Sequence, residues 1–498
     1  MIKLGNTSKT ILLILVIILC VLRSYSATRT ATSSGNWSNT ATWGGNPVPT
    51  ASDDVTINNG INVTVNAAAY CNTLTTANSG TLTISGTNTL TVTGLINMFR
   101  PSANNTSFTI AVGTGSLVAG ALTMNATTTT RNNIITISTG TVTINGTVTT
   151  GTTGCQFVFT GNGLLKFGGS FSGGPASLTA ANGTIEYTGT APVIQAFTGN
   201  YYNLVYSGNG TTANPSGNLN IQGNLLNTGG GTLNFYARNV SLSGTTVSNT
   251  IDGFTTTGTV TMSKTAGTAT FTGNVNASVL TINGSGGTLN LGTGLTHTVT
   301  GNWTRTNGTL DGGSSLLKIA GSVSGTGGSF AANTGTIEWN AAGAQTLAAV
   351  AYNNLILSGG GAKTMPAGTA ITNNLLINGP TASIAAGQNI NVGSLTLGGY
   401  NKINGTWGST SSAATYKDNT YFATTTGILT VANDTRSTTP DFSGLTASQS
   451  ICYGTPSTSL SGKVSAPGPV YPLPGETVTV TINGVSQNTT ISDATGGF

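Results

Sequence analysis

The chain has 498 residues, 71 of them glycine, and only 5% are charged; ordinary soluble domains carry about 25%. The formal net charge is +5, but Lys3, Lys9 and Arg23 belong to an apolar N-terminal segment and the rest is close to neutral, with no basic run. Nucleic acid is therefore excluded as an expected partner, because phosphate recognition needs a basic footprint. Disorder is excluded as well, since the 37% hydrophobic residues recur with a period rather than being scattered.

Residues 1–26 read as a signal peptide. Lys3 and Lys9 give a positive start, residues 11–22 an apolar core too short to span a membrane, and Ser24 and Ser26 a small-residue cleavage site. The mature chain is expected to begin near Ala27, to be exported, and to have no membrane insertion after cleavage. Cys71, Cys155 and Cys452 then remain, odd in number and widely spaced, with no CxxC and a single histidine, His297. A disulfide framework or zinc site is not expected, and no cofactor is. Three small, mostly buried thiols are.

Residues 27–66 carry Trp37, Trp43, Pro47 and Pro49, an aromatic and fixed texture that suits the N-terminal cap of a solenoid. Asp53 and Asp54 form the acidic doublet of the chain. Their functional reading is a calcium site built from hard oxygens. Their structural reading is a turn closed by Asx hydrogen bonds.

From residue 67 to 431, short runs such as "TLTIS" and "TVTING" alternate an aliphatic residue with threonine, punctuated by NG, SG, TG and GG. That alternation predicts strands with one buried face. A longer repeat runs through them. "LKFGGSFSGGPASLTAANGTIEY" (165–187) aligns without a gap with "LKIAGSVSGTGGSFAANTGTIEW" (317–339), and "YNLVYSG" (202–208) follows as "NNLILSG" (353–359) after a one-residue slip. One such unit cannot bury its apolar face alone; stacked units can. The expected fold is all-β, a parallel β-helix (β-solenoid). The alternative is a string of separate β-sandwich modules.

The repeat places Glu186 and Glu338 at equivalent positions. A glycosidase needs two carboxylates about 5–9.5 Å apart, whereas a solenoid of about 20–25 residues per coil sets these several coils apart. They are expected to be one structural residue met twice, facing solvent beside Tyr187 and Trp339. For a polysaccharide lyase or hydrolase, Asp311 and Lys318 are the nearest acid–base pair along the chain. Tyr201, Tyr202 and Trp339 are candidates for stacking on a glycan; an internal aromatic stack is the structural alternative. His297, between Thr296 and Thr298, reads as an outward strand residue. The many Thr-x-Thr triplets raise ice binding, although their intervals are irregular. No catalytic or cofactor-binding residue is assigned.

Residues 401–431 carry Trp and Tyr again and read as a closing segment, 432–440 as a linker. Residues 441–498 show strand, Pro-rich turn, strand, NG hairpin and strand, the start of an Ig-like β-sandwich that needs about 100 residues. A fragment of a longer protein is expected.

These motifs carry a resemblance. "TWGGNPVPTASDDVTI" is loosely similar to the opening of the eight-glycine extracellular domain of exported bacterial proteins. "GTIEYTGTAPVIQ" and "GTIEWNAAGAQTLAAVAYNNLILSG" resemble the glycine- and threonine-rich repeats of β-helical, adhesin-like surface proteins. "GTWGSTSSAATYKDNTYF" resembles their closing segment, and "FSGLTASQSICYGTPSTSLSGKVS" resembles bacterial Ig-like repeats. The resemblance implies a non-enzymatic secreted or cell-surface protein for structure or adhesion, whose β-helical stalk presents binding surface to an unidentified surface glycan or protein.

Overall fold

The computed structural model describes residues 26–436, 439–447, 449–467, 470–472 and 474–498. Residues 1–25 of the expected leader, and residues 437 and 438 of the expected linker, lie outside them. The fold is all-β, a parallel β-solenoid of about 16 turns. The chain forms two compact units, one running to Ala277 with Asn283–Leu289, the other comprising Ser278–Ile282 and Asn290–Phe498.

In the first unit the strands Leu164–Phe167, Thr184–Tyr187 and Asn203–Tyr206 stack in parallel, Leu164 beside Thr184 and Thr184 beside Asn203. One coil is therefore about 20 residues, at the short end of the 20–25 expected. Alternation sends Leu165, Ile185 and Leu204 inward in one column and Phe167, Tyr187 and Tyr206 in the next, all buried. Each such side chain contributes about 1.5–3 kcal/mol by leaving water. The segment expected as a cap is wound into the same ladder: Thr28–Ala31 pairs in parallel with Asp54–Ile57, which pairs with Thr73–Thr76. Trp37 and Trp43 are buried edge to face, their rings 4.9 Å apart, and Trp43 Nε1 donates to the Trp37 carbonyl at 2.8 Å.

In the second unit Leu316–Ile319, Thr336–Trp339, Asn354–Leu357, Asn374–Ile377 and Ser394–Leu397 stack in the same way. His297 corrects an expectation. It sits beside Leu317, 2% exposed, with Nε2 2.8 Å from the Leu291 carbonyl. The strand's phase follows Val299, which faces inward, so Thr296 and Thr298 take the outer face. Burial holds the His297 pKa below its usual value, against the pull of the Leu291 carbonyl.

Parallel winding stops where residues 401–431 are expected to close it. Ile428–Val431 pairs in parallel with Asn389–Val392 but antiparallel with Gly405–Gly408. Beyond it lie two small antiparallel sheets, Asp441–Ser443 with Lys463–Ser465 and Thr477–Ile482 with Val485–Thr490. The second turns at Asn483 and Gly484, with φ of 50° and 80°; positive φ at both positions is why NG suits this hairpin. Cys71 and Cys155 are buried as expected, while Cys452 is exposed, and all three are free.

Candidate functional site

The two copies of the repeat build the same outer surface. In the first, Lys166, Glu186, Val205 and Leu226 succeed one another up one outward column. In the second, Lys318, Glu338, Ile356 and Leu376 do so. Alternation fixes this face, because the residues on either side of each are buried.

Each glutamate is held by its neighbouring coils. Glu186 Oε2 lies 3.0 Å from Lys166 Nζ, and Oε1 accepts from Ser207 Oγ at 2.5 Å. Glu338 Oε2 lies 3.3 Å from Lys318 Nζ, and Oε1 accepts from Ser358 Oγ at 2.6 Å. The glutamate side chains are 16% and 14% exposed and the lysines 34% and 35%. Solvent therefore screens both pairs, and each stabilises its coils by no more than about 1 kcal/mol. Glu186→Gln and Glu338→Gln should each lower stability by about 0.5–1 kcal/mol, read from the shift in urea midpoint, with near-equal effects.

Asp311 and Lys318 do not form a pair of their own. Asp311 accepts from Asn290 Nδ2 at 2.9 Å, the Gly313 amide at 2.8 Å and Asn333 Nδ2 at 2.5 Å, while Lys318 serves Glu338. Asp53 and Asp54 are engaged in the same manner. Asp53 is 3% exposed and accepts from the Thr50 amide and hydroxyl, both at 2.8 Å, and from the Ala27 amide at 3.1 Å; Arg29 Nε is 3.6 Å away. Asp54 accepts from Thr73 Oγ1 at 2.6 Å, Asn72 Nδ2 at 2.9 Å and Ser26 Oγ at 3.0 Å. Among the described residues no three His, Cys, Asp or Glu side chains gather as metal ligands.

Two of the three glycan-stacking candidates are buried, Tyr201 at 2% exposure and Trp339 at 0%, so neither offers a ring face to a ligand; Tyr202 is half-buried. The Tyr201 hydroxyl donates to the Gln195 carbonyl at 2.5 Å and meets the Tyr187 hydroxyl at 3.0 Å, which accepts from the Gln195 amide. Burial pushes the Tyr187 pKa up to about 12. Tyr201 packs on Phe197, and the rings of Phe157, Phe167 and Phe171 continue the stack. Trp339 lies against Trp303, centroids 6.5 Å apart.

Threonine forms one long outward column, Thr30, Thr56, Thr75, Asn97, Thr123, Thr149 and Ser172. Two residues before these stand Thr28, Asp54, Thr73, Leu95, Ala121, Thr147 and Ser170. Paired Thr-x-Thr rows therefore do not repeat coil after coil.

Two lysines escape a reading that assigns charge to the surface. Lys363 is 0% exposed and donates to the carbonyls of Ala341 at 2.7 Å and Gly343 at 3.0 Å. Lys264 is also 0% exposed and donates to Asn249 Oδ1. Strand phase was the available signal: Lys363 alternates with Met365, and Lys264 with Val260 and Met262. In the C-terminal region, a cleft of about 490 Å³ is lined by Ile403, Phe442, Tyr471 and Glu476, with Arg436 paired to Asp434 at 2.7 Å on its wall. Comparison with known proteins yields no match, whether to a family model, a curated protein or a solved structure.

Proposed function

We propose that the chain is a non-enzymatic, secreted or cell-surface protein for structure or adhesion, in which stacked coils display binding surface. The observation that carries this reading is the Lys–Glu–Ser ladder, built twice from equivalent residues. Carboxylates engaged coil to coil hold register; a hydrolase or lyase would gather them in a groove. The signal-like leader favours export. The Pro-rich turn and NG hairpin of residues 441–498, with their two antiparallel pairs, favour an Ig-like module.

The test uses beads coated with the full chain. They should be retained on at least one polysaccharide- or matrix-protein-coated surface above uncoated beads, and the polysaccharides should gain no new chain ends. New reducing or unsaturated ends, abolished by Asp311→Asn, would replace this reading with the enzymatic one.

A further inference from the structure

Lys264 and Asn249 form a buried pair that the coil-to-coil ladders do not explain. Both occupy inward positions of the first unit. Lys264 continues the phase of Val260 and Met262, and Asn249 precedes Ile251 in Ser248–Ile251. Lys264 is 0% and Asn249 3% exposed. Lys264 Nζ lies 2.5 Å from Asn249 Oδ1, with the Ser243 carbonyl farther off at 3.5 Å. Asn249 Nδ2 is buried without a hydrogen-bond partner. Among the described residues no carboxylate lies within ion-pair distance of Lys264. The lysine stem is confined by the next coil, where a Cβ on Gly287 would collide with Lys264 Cβ.

This arrangement has a chemical consequence. A buried amine without a counter-charge is driven towards its neutral, nucleophilic form, and burial lowers the Lys264 pKa. Its nearest neighbour is a primary amide whose nitrogen gives up no hydrogen bond on leaving. Lys363 makes the contrast: its ammonium meets backbone carbonyls, which cannot exchange their nitrogen without cutting the chain.

We propose that Lys264 and Asn249 condense into an intramolecular isopeptide bond. Lys264 Nζ attacks Asn249 Cγ, a C–N bond forms, and the Cγ–Nδ2 bond breaks. The amine attacks in its neutral form, and Nδ2 takes up the proton that Nζ releases and leaves as ammonia. Oδ1 remains the carbonyl oxygen, and no oxidant, reductant or cofactor is consumed. The product removes a buried amine without a counter-charge and an unpartnered amide nitrogen together. It also staples a coil in a unit whose described cysteines, Cys71 and Cys155, are free.

Tryptic digestion of the full chain, folded and then denatured, tests this. If the residues are unlinked, cleavage after Lys264 yields peptides 239–264 and 265–305. If they are linked, Lys264 is no longer a trypsin site, and one peptide, 239–305, appears lighter by one ammonia. Intact mass alone does not decide, because succinimides at Asn-Gly sites also lose ammonia; they leave Lys264 cleavable. Asn249→Ser should restore cleavage after Lys264, and Lys264→Met should yield peptide 239–305 at its full mass. Should either variant fail to fold, the wild-type digest still decides. The linked peptide is expected as the main product, and recovery of 239–264 and 265–305 as the main products from folded protein overturns the proposal.

Discussion

Trp339→Ala should destabilise the second unit by about 3–5 kcal/mol, the cost of emptying a large, fully buried aromatic position. Trp339 is 0% exposed and packs against Trp303, which in turn meets Phe330 with centroids 5.6 Å apart. The parallel ladder hands the loss on to its neighbours, since Trp339 lies between Ile319 and Leu357 in the inward column. Hydrogen exchange should therefore accelerate first in the strands Leu316–Ile319 and Asn354–Leu357. Trp339→Phe should recover most of the loss by keeping a ring against Trp303. An alanine variant that unfolds at the wild-type urea midpoint would show that the position is not packed as described.

The second large effect belongs to Asp53. Asp53→Ala strands the Thr50 amide and hydroxyl, the Ala27 amide and Arg29 without their acceptor, at a cost of about 3 kcal/mol for hydrogen bonds to a charged group. Acid should produce the same loss. Burial works to raise the Asp53 pKa, but the Thr50 amide and hydroxyl, the Ala27 amide and Arg29 outweigh it and hold the pKa below the usual value of 3.8. The Asp54 pKa is lowered as well, chiefly by the Thr73 hydroxyl. A carboxyl more acidic folded than unfolded lends stability above its unfolded pKa, and that stability drains away as pH falls through the folded one. The first coils should therefore be stable at neutral pH and loosen below about pH 4. Fluorescence of the buried pair Trp37 and Trp43 should report the transition, and Asp53→Asn should flatten it.

Much of this was legible where side-chain alternation alone sets the outcome. The pattern at 184–187 and again at 336–339 sends Ile and Tyr or Trp inward and leaves glutamate outside, and the ungapped repeat implies stacking. The NG pair announces its own hairpin, because few other residues adopt positive φ twice in succession. His297 departs from its expected outward position because threonine on both sides suits either face, and only Val299 settles the phase. Tyr201 and Trp339 were ambiguous because an aromatic ring serves a core and a ligand surface equally well. Lys264 and Lys363 give conflicting signals, because charge argues for the surface while phase argues for the core, and in both phase prevails. Coil partners about 20 residues apart leave no local mark, so the closing of one ladder around Glu186 and another around Glu338 emerges only in three dimensions.

The most direct measurement on those two glutamates is carbon NMR of the chain labelled at glutamate, which has three such residues, Glu186, Glu338 and Glu476. Glu338→Gln should delete one side-chain carboxyl signal and leave that of Glu186 in place, while Lys166→Met should move only the Glu186 signal. A shift of the Glu186 signal on replacing Glu338 would mean that the two carboxylates share one site, and the two separate Lys–Glu–Ser ladders would be contradicted.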